Sequence, residues 1–458
     1  MVVNSIPQMS SKQRTAVPSI DFKKSTGASA SCSPLDSAQG TSTGHVDAKP
    51  CLHLQSSLKL RCGIEVPNRI CKAASSEHMA DGYFNPTQEL CSAYRKWAEG
   101  GAGLIITGNI MIDRKFREGT RNCVLDELHC EKSYRDFATA CKSNGAVALA
   151  QISHPGRQCP LSVTYARPPA PSDSSFKLPG VGIQLFRSAR EMTADEIDGL
   201  VFQYAQSSAY AIDAGFDGVQ IHAAHGYLIS QFLSPRTNLR TDRYGGSAEA
   251  RRLFLVNVLR LTRKMIGADK ILAVKINSHD FIEGGLTQSE SVDVIDQICP
   301  LVDVVEISGG SYESAAFMAQ DSSANSFFVD FAREVKARTR HSNVAIMVTG
   351  GWRDCHKADV AIVSDEIDFI GLCRPLCADP ALPLRWFRGV NNSAATVRFN
   401  IPLLKELLIP GLAFMWHRQC IVNTGYAKSM PSAHWLALLL ILLVQSVRMY
   451  LFDPMHIF

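Results

Sequence analysis

Residues 193–223, TADEIDGLVFQYAQSSAYAIDAGFDGVQIHA, hold one helix and one strand. Thr193 is followed three residues later by Glu196, the spacing of a capping box, in which each side chain satisfies the other residue's backbone N–H. Apolar residues then recur at helical intervals until Gly215, which stops the helix. The next eight residues, FDGVQIHA, form a short, mostly apolar run of the kind a strand shows when both its faces are covered.

The same unit repeats along the chain. NRICKAAS (68–75), AGLIITGN (102–109), AVALAQIS (146–153), ILAVKIN (271–277), VDVVEIS (302–308), VAIMVTG (344–350) and DFIGLCR (368–374) read as further strands. SAEARRLFLVNVLRLTRKMIG, from Ser247, reads as another amphipathic helix. Eight such alternations predict an α/β fold, a (β/α)8 TIM barrel over residues 51–390. An open doubly wound sheet would place G-x-G-x-x-G after its first strand, and no strand here is followed by it.

The flanks differ in composition. Residues 1–50 are rich in Ser, Thr, Ala and Gly without apolar periodicity, and read as a disordered tail. They lack the apolar core of a secretion signal, while their scarcity of acids before Asp36 leaves mitochondrial targeting open. Residues 391–458 read as a helical extension with an apolar segment at 435–447, shorter than the roughly twenty residues of a membrane span. Packing inside the protein or against a partner is the simpler reading; tail anchoring and membrane contact stay open. The expected location is cytoplasmic.

With 46% hydrophobic and 20% charged residues and a formal net charge of +4, the chain has ordinary globular composition and no nucleic-acid signature. Its 14 cysteines include no C-x-x-C pair, and are expected to be reduced, mostly buried small hydrophobes.

A barrel of this kind carries its chemistry at the C-terminal ends of its strands. Polar residues fall there: Ser75 and Ser76, Asn109, Gln151, His222 and His225, Lys275 and Asn277, Ser308, Thr349 and Arg374. Gln151 and Lys275 sit within apolar strands, where a purely structural residue would be Val or Leu. His222 and His225 could in principle share a metal, but the nearest acids in sequence, Asp217 and Asp242, leave them short of ligands, and no metal is expected. The last two strands end in VTGGWRD (348–354) and GLCRPLCAD (371–379), whose glycines and Arg374 suit a phosphate. These features fit FMN or a sugar phosphate.

The motifs VPNRICKAASSEHMAD, GLIITGN, AQISHPGRQ, GFDGVQIHAAHGYLISQFLSPRTNLRTDRYGGS, DFIEGG, EISGGSYE, VTGGWRD and IGLCRPL, in this order, resemble the Old Yellow Enzyme family of FMN-dependent ene-reductases, in its NADH:flavin oxidoreductase branch. The resemblance runs from about Leu52 to Pro383. It implies that NADH or NADPH reduces FMN, which passes hydride to the β-carbon of an α,β-unsaturated carbonyl compound. His222 and His225 would then bind the carbonyl oxygen, and Tyr227 would be the proton donor. Ala74, Ser76, Asn109, Gln151 and Lys275 would line the flavin, and Gly350, Gly351, Cys373 and Arg374 would hold its phosphate. Lys275 stands where many members carry Arg, and Cys373 where Gly is usual. Two alternatives remain: a flavin-dependent isomerase or dehydrogenase of a biosynthetic pathway, and an impaired flavin-binding relative. Substrate identity, coenzyme preference and homo-oligomer formation are not legible here.

Overall fold

The computed structural model describes residues 51–176, 185–313, 324–390, 392–394 and 409–429. They belong to one compact unit, Asp47–Phe458, of the two into which the chain divides. The expected N-terminal tail, residues 177–184 and the apolar segment at 435–447 lie outside the described residues.

The eight predicted strands all form. They are β1 (Ile70–Lys72), β2 (Leu104–Met111), β3 (Val147–Ser153), β4 (Gly218–Ala223), β5 (Ile271–Asn277), β6 (Val304–Ser308), β7 (Ala345–Thr349) and β8 (Phe369–Leu372). All are parallel, each pairs with its neighbours in sequence, and β8 closes on β1 through Ile370–Ile70, making a closed barrel. The expected TIM barrel is therefore the fold.

Alternation along the strands separates two cores. Outward residues such as Ile105, Ala148, Val219 and Val274 pack against the helices in one large apolar cluster. Inward residues such as Leu104, Leu149, Ala273 and Met347 fill the lower barrel. A small hairpin, Leu58–Lys59 with Glu65–Val66, adds Leu60 and Val66 to that inner cluster and closes its N-terminal end.

The helices start where their caps say. In α3 (Ala194–Asp213) the Glu196 N–H donates to Thr193 Oγ1 at 3.2 Å and the Thr193 N–H donates to Glu196 Oε2 at 2.9 Å. Gly215 follows with φ +99°, a left-handed turn that a Cβ would strain. The second predicted helix is α5 (Ala248–Ile266), capped by Ser247 and ended by Gly267. In the extension, α11 (Ile409–Gly425) buries Trp416, Cys420 and Ile421. It is tied to α1 (Gln88–Glu99) by Lys96 Nζ, which donates to Thr424 O at 2.7 Å.

One expectation is overturned. Cys51 and Cys355 form a disulfide across 304 residues of sequence. Local spacing carries no record of that pairing, because the fold brings the segment before β1 against the start of α8 (Cys355–Val363), where the Leu54 N–H also donates to Asp359 Oδ1 at 2.9 Å. Most of the remaining described cysteines are free and buried, as expected.

Candidate active site

The inner face of the barrel turns polar toward the strands' C-terminal ends. Gln151 on β3, Gln220 on β4, Lys275 on β5 and Glu306 on β6 occupy adjacent inward positions, through the register pairs Gln151–Gln220 and Lys275–Glu306. Gln151 Nε2 donates to Gln220 Oε1 at 2.7 Å, and Gln220 Nε2 donates to Glu306 Oε2 at 2.7 Å. Lys275 Nζ lies 2.9 Å from Glu306 Oε1. A charge buried this completely is tolerated because it is paired and hydrogen-bonded. Gln151 Oε1, in contrast, is buried with no hydrogen-bond partner. An orphaned acceptor of this kind costs free energy unless a ligand donates to it.

His222, at the end of β4, and His225 and Tyr227 just beyond it are brought together as the sequence predicts. The His222 ring centroid lies 5.2 Å from that of His225 and 4.7 Å from that of Tyr227. His225 adopts φ +61°, an uncommon choice for a residue with a Cβ, and its place is fixed from two sides. Its N–H donates to Asn277 Oδ1 at 3.1 Å, and its Nε2 lies 2.8 Å from Ser308 Oγ. Burial, reinforced by the charge of Lys275, lowers the His222 pKa to about 3 and that of His225 well below its usual value. Both imidazoles are neutral at pH 7. His222 Nδ1 accepts the Ala224 N–H at 3.3 Å, so the ring proton sits on Nε2, which is the donor.

Tyr227 is held by a group the sequence reading missed. Its hydroxyl donates to Glu118 Oε2, and Tyr312 OH lies 2.8 Å away. Asn109 Nδ2 donates to the same carboxylate oxygen at 2.8 Å, and His78 Nε2 lies 3.1 Å from Glu118 Oε1. Burial opposes charge on Glu118, but hydrogen bonds from His78, Ser76 and Tyr227 outweigh it and hold its pKa down to about 2. Tyr227 shifts the other way: burial first, then the Glu118 charge, raises its pKa well above the ordinary phenol value.

At the far side of the mouth, Gly350 and Gly351 adopt φ +116° and +71°. A Cβ on Gly350 would meet no atom within 4 Å, so backbone conformation, not space, requires glycine there. Burial and then the neighbouring Arg374 charge lower the Arg353 pKa to about 10, so two guanidinium groups sit close together. The Cys373 pKa falls to about 6, first through a hydrogen bond from Cys377 and, against burial, through Lys72, Lys275 and Arg374. The potential at these turns is positive and suits an anion. Ala74 follows β1 and packs partly buried against the inner cluster.

The family model for the NADH:flavin oxidoreductase / NADH oxidase family matches residues 58–393. The chain belongs to this family. A protein from Neonectria sp. described as an NADH-dependent flavin oxidoreductase is 33% identical, over 72% of this chain and 46% of that one. One of the same description from Hypocrea jecorina is 32% identical over 76% of this chain and 92% of the relative. Among solved structures, the old yellow enzyme homologue from Zymomonas mobilis shares the fold, with a TM-score of 0.64, 24% identity, and coverage of 75% of this chain and 95% of that one. This NADH:flavin oxidoreductase is thus an enzyme that uses FMN and NAD(P)H. The residues present fit FMN: the orphaned Gln151 oxygen would accept from a ring N–H, Lys275 would face the ring with positive charge, and the Gly350, Gly351, Arg353 and Arg374 turns would suit a phosphate.

Of the residues sequence reasoning missed, Gln220 and Glu306 were within reach. Each lies two positions before a singled-out residue, His222 and Ser308, and so on the same strand face. Arg353 lies inside the quoted VTGGWRD motif. His78 and Tyr312 likewise lie inside the quoted VPNRICKAASSEHMAD and EISGGSYE motifs, whereas Glu118 sits in a loop outside all of them.

Proposed function

We propose that this flavin oxidoreductase is an ene-reductase acting on α,β-unsaturated carbonyl compounds, with His222 and His225 binding the carbonyl oxygen and Tyr227 protonating the α-carbon. The observation that carries the reading is the packing of two neutral imidazoles against one protonated phenol at the mouth of the barrel. Reduced FMN, when bound, supplies hydride to the substrate's β-carbon. As negative charge grows on the carbonyl oxygen, neutral His222 offers Nε2–H as a donor, and Lys275 adds positive potential nearby. Loss of one donor at such a site costs on the order of a hundredfold in rate. Tyr227 keeps its proton at pH 7, so it stays loaded until an enolate-like carbon forms. Gln151 and Lys275 orient the flavin ring, and the Gly350, Gly351 and Arg374 turns anchor the phosphate. On this reading, residues 51–390 are the catalytic domain and the partner is a small-molecule enone, with the enzyme placed in the cytoplasm. Among the described residues no helix is long and apolar enough to cross a membrane.

The test is an anaerobic visible spectrum of the purified holoenzyme. NADH or NADPH should bleach the flavin bands, and 2-cyclohexenone should restore them with saturated ketone as product. Bleaching without recovery by any enone would overturn the substrate class while leaving the flavin chemistry intact.

A further inference from the structure

A phenol that gives up its proton must regain it before it can act again, and Tyr227 is buried, with 3% exposure. Its hydroxyl donates to Glu118, a carboxylate in the loop after β2 whose side chain is also 3% exposed. The two oxygens of Glu118 face opposite partners. Oε2 receives Tyr227 OH and Asn109 Nδ2, whereas Oε1 lies 3.1 Å from His78 Nε2. The His78 side chain keeps 15% exposure and so still reaches water.

Two features of the chain hold this imidazole where it is. His78 adopts φ +52°, a left-handed conformation that costs a residue with a Cβ and persists where surrounding structure demands it. The ring also lies directly on Gly119, where an added Cβ would come within 2.7 Å of His78 Cε1. A side chain at position 119 would push the ring off Glu118. Tyr312, Asn109, Ser76 and Asn122, whose Nδ2 donates to Glu118 Oε1 at 3.4 Å, surround the carboxylate, with Arg418 of α11 at longer range.

We propose that His78 and Glu118 form a proton relay that reloads Tyr227 after each turnover. This rests on Tyr227 being the donor to substrate. In the first step the Tyr227 O–H bond breaks as the substrate's α-carbon gains its C–H bond. That leaves a phenolate beside a carboxylate, two like charges sharing no proton, which raises the pair's demand for one. His78 gives its Nε2 proton to Glu118 Oε1 as its Nδ1 takes one from water. Rotation of the carboxyl about its Cγ–Cδ bond carries that O–H to the phenolate, which takes the proton. One proton enters from solvent for each proton delivered to product, and no electrons move in the relay.

A relay and a merely structural role differ in which turnover they affect. The first protonation draws on the proton Tyr227 already holds, so the relay matters only from the second turnover. The test uses His78→Gln in the FMN-loaded enzyme with 2-cyclohexenone. Oxidation of pre-reduced enzyme in a single turnover should stay within about twofold of wild type. Steady-state turnover at saturating NADH should fall at least about tenfold, after a burst of one product per FMN, with the reductive half-reaction unchanged. Imidazole in the buffer should restore His78→Ala, but not His78→Ala combined with Glu118→Gln. Gly119→Ala, which displaces the ring and alters neither relay group, should reproduce the pattern if His78→Gln does not retain FMN. A slowed single turnover in either variant, unaltered steady-state turnover, or no rescue by imidazole would each overturn the relay. Unaltered single-turnover oxidation in Tyr227→Phe would instead remove the donor assignment on which the relay stands.

Discussion

Replacing Lys275 with Met tests whether the polar layer inside the barrel is held together by charge pairing. Lys275 and Glu306 are 5% and 0% exposed at their side chains and lie 2.9 Å apart. Removing the ammonium leaves a carboxylate with Gln220 Nε2 as its remaining donor. Breaking a buried pair by deleting one partner typically costs 3–5 kcal/mol, and the surviving hydrogen bond places the expected loss near the lower end, about 3 kcal/mol. Combining Lys275→Met with Glu306→Gln removes the stranded charge and keeps an acceptor for Gln220. The double variant should therefore return to within about 1 kcal/mol of wild type. Urea unfolding of the FMN-free proteins, followed by tryptophan fluorescence, gives the comparison without a contribution from cofactor binding. A single variant within about 1 kcal/mol of wild type, or a double variant no better than the single, would refute the reasoning.

Three further outcomes are expected. The depressed pKa of His222, about 3, means that the unfolded chain binds a proton there that the folded chain refuses between pH 6.5 and 3. Stability should accordingly fall as pH drops through that window, and His222→Asn should flatten the slope measured by thermal unfolding at several pH values. Arg374→Ala should weaken FMN retention by about tenfold to a hundredfold, from loss of charged hydrogen bonds of about 1.5–3 kcal/mol, read by the fluorescence of flavin released on dilution. Thr193→Ala should cost about 1 kcal/mol by removing the capping-box acceptor of α3, measured by urea midpoint, with no change in turnover.

The barrel was legible because its signals are local. A strand or helix declares itself through the spacing of apolar residues over six to twenty positions, and Thr193, Glu196 and Gly215 mark a helix's ends with chemistry confined to one turn. The cluster of His222, His225 and Tyr227 was legible for the same reason, since the six consecutive positions 222–227, at and just past the end of one strand, necessarily share a barrel mouth. Gln151 and Lys275 stood out as polar residues in apolar strands, and both prove to be members of one inward chain.

What the sequence could not disclose depends on contacts between distant segments. Glu118 reaches Tyr227 across 109 residues, Cys51 meets Cys355 across 304, and Arg418 arrives from a helix beyond the barrel. Neither Glu118 nor His78 lies in a periodic pattern, so nothing near them in the chain records the other. The strands determined by themselves which residues line the mouth; closure of the barrel decided which loops meet above it, and hence that Tyr227 sits against a carboxylate. Side-chain period is a property of one segment, but a charge's partner is a property of the packed chain.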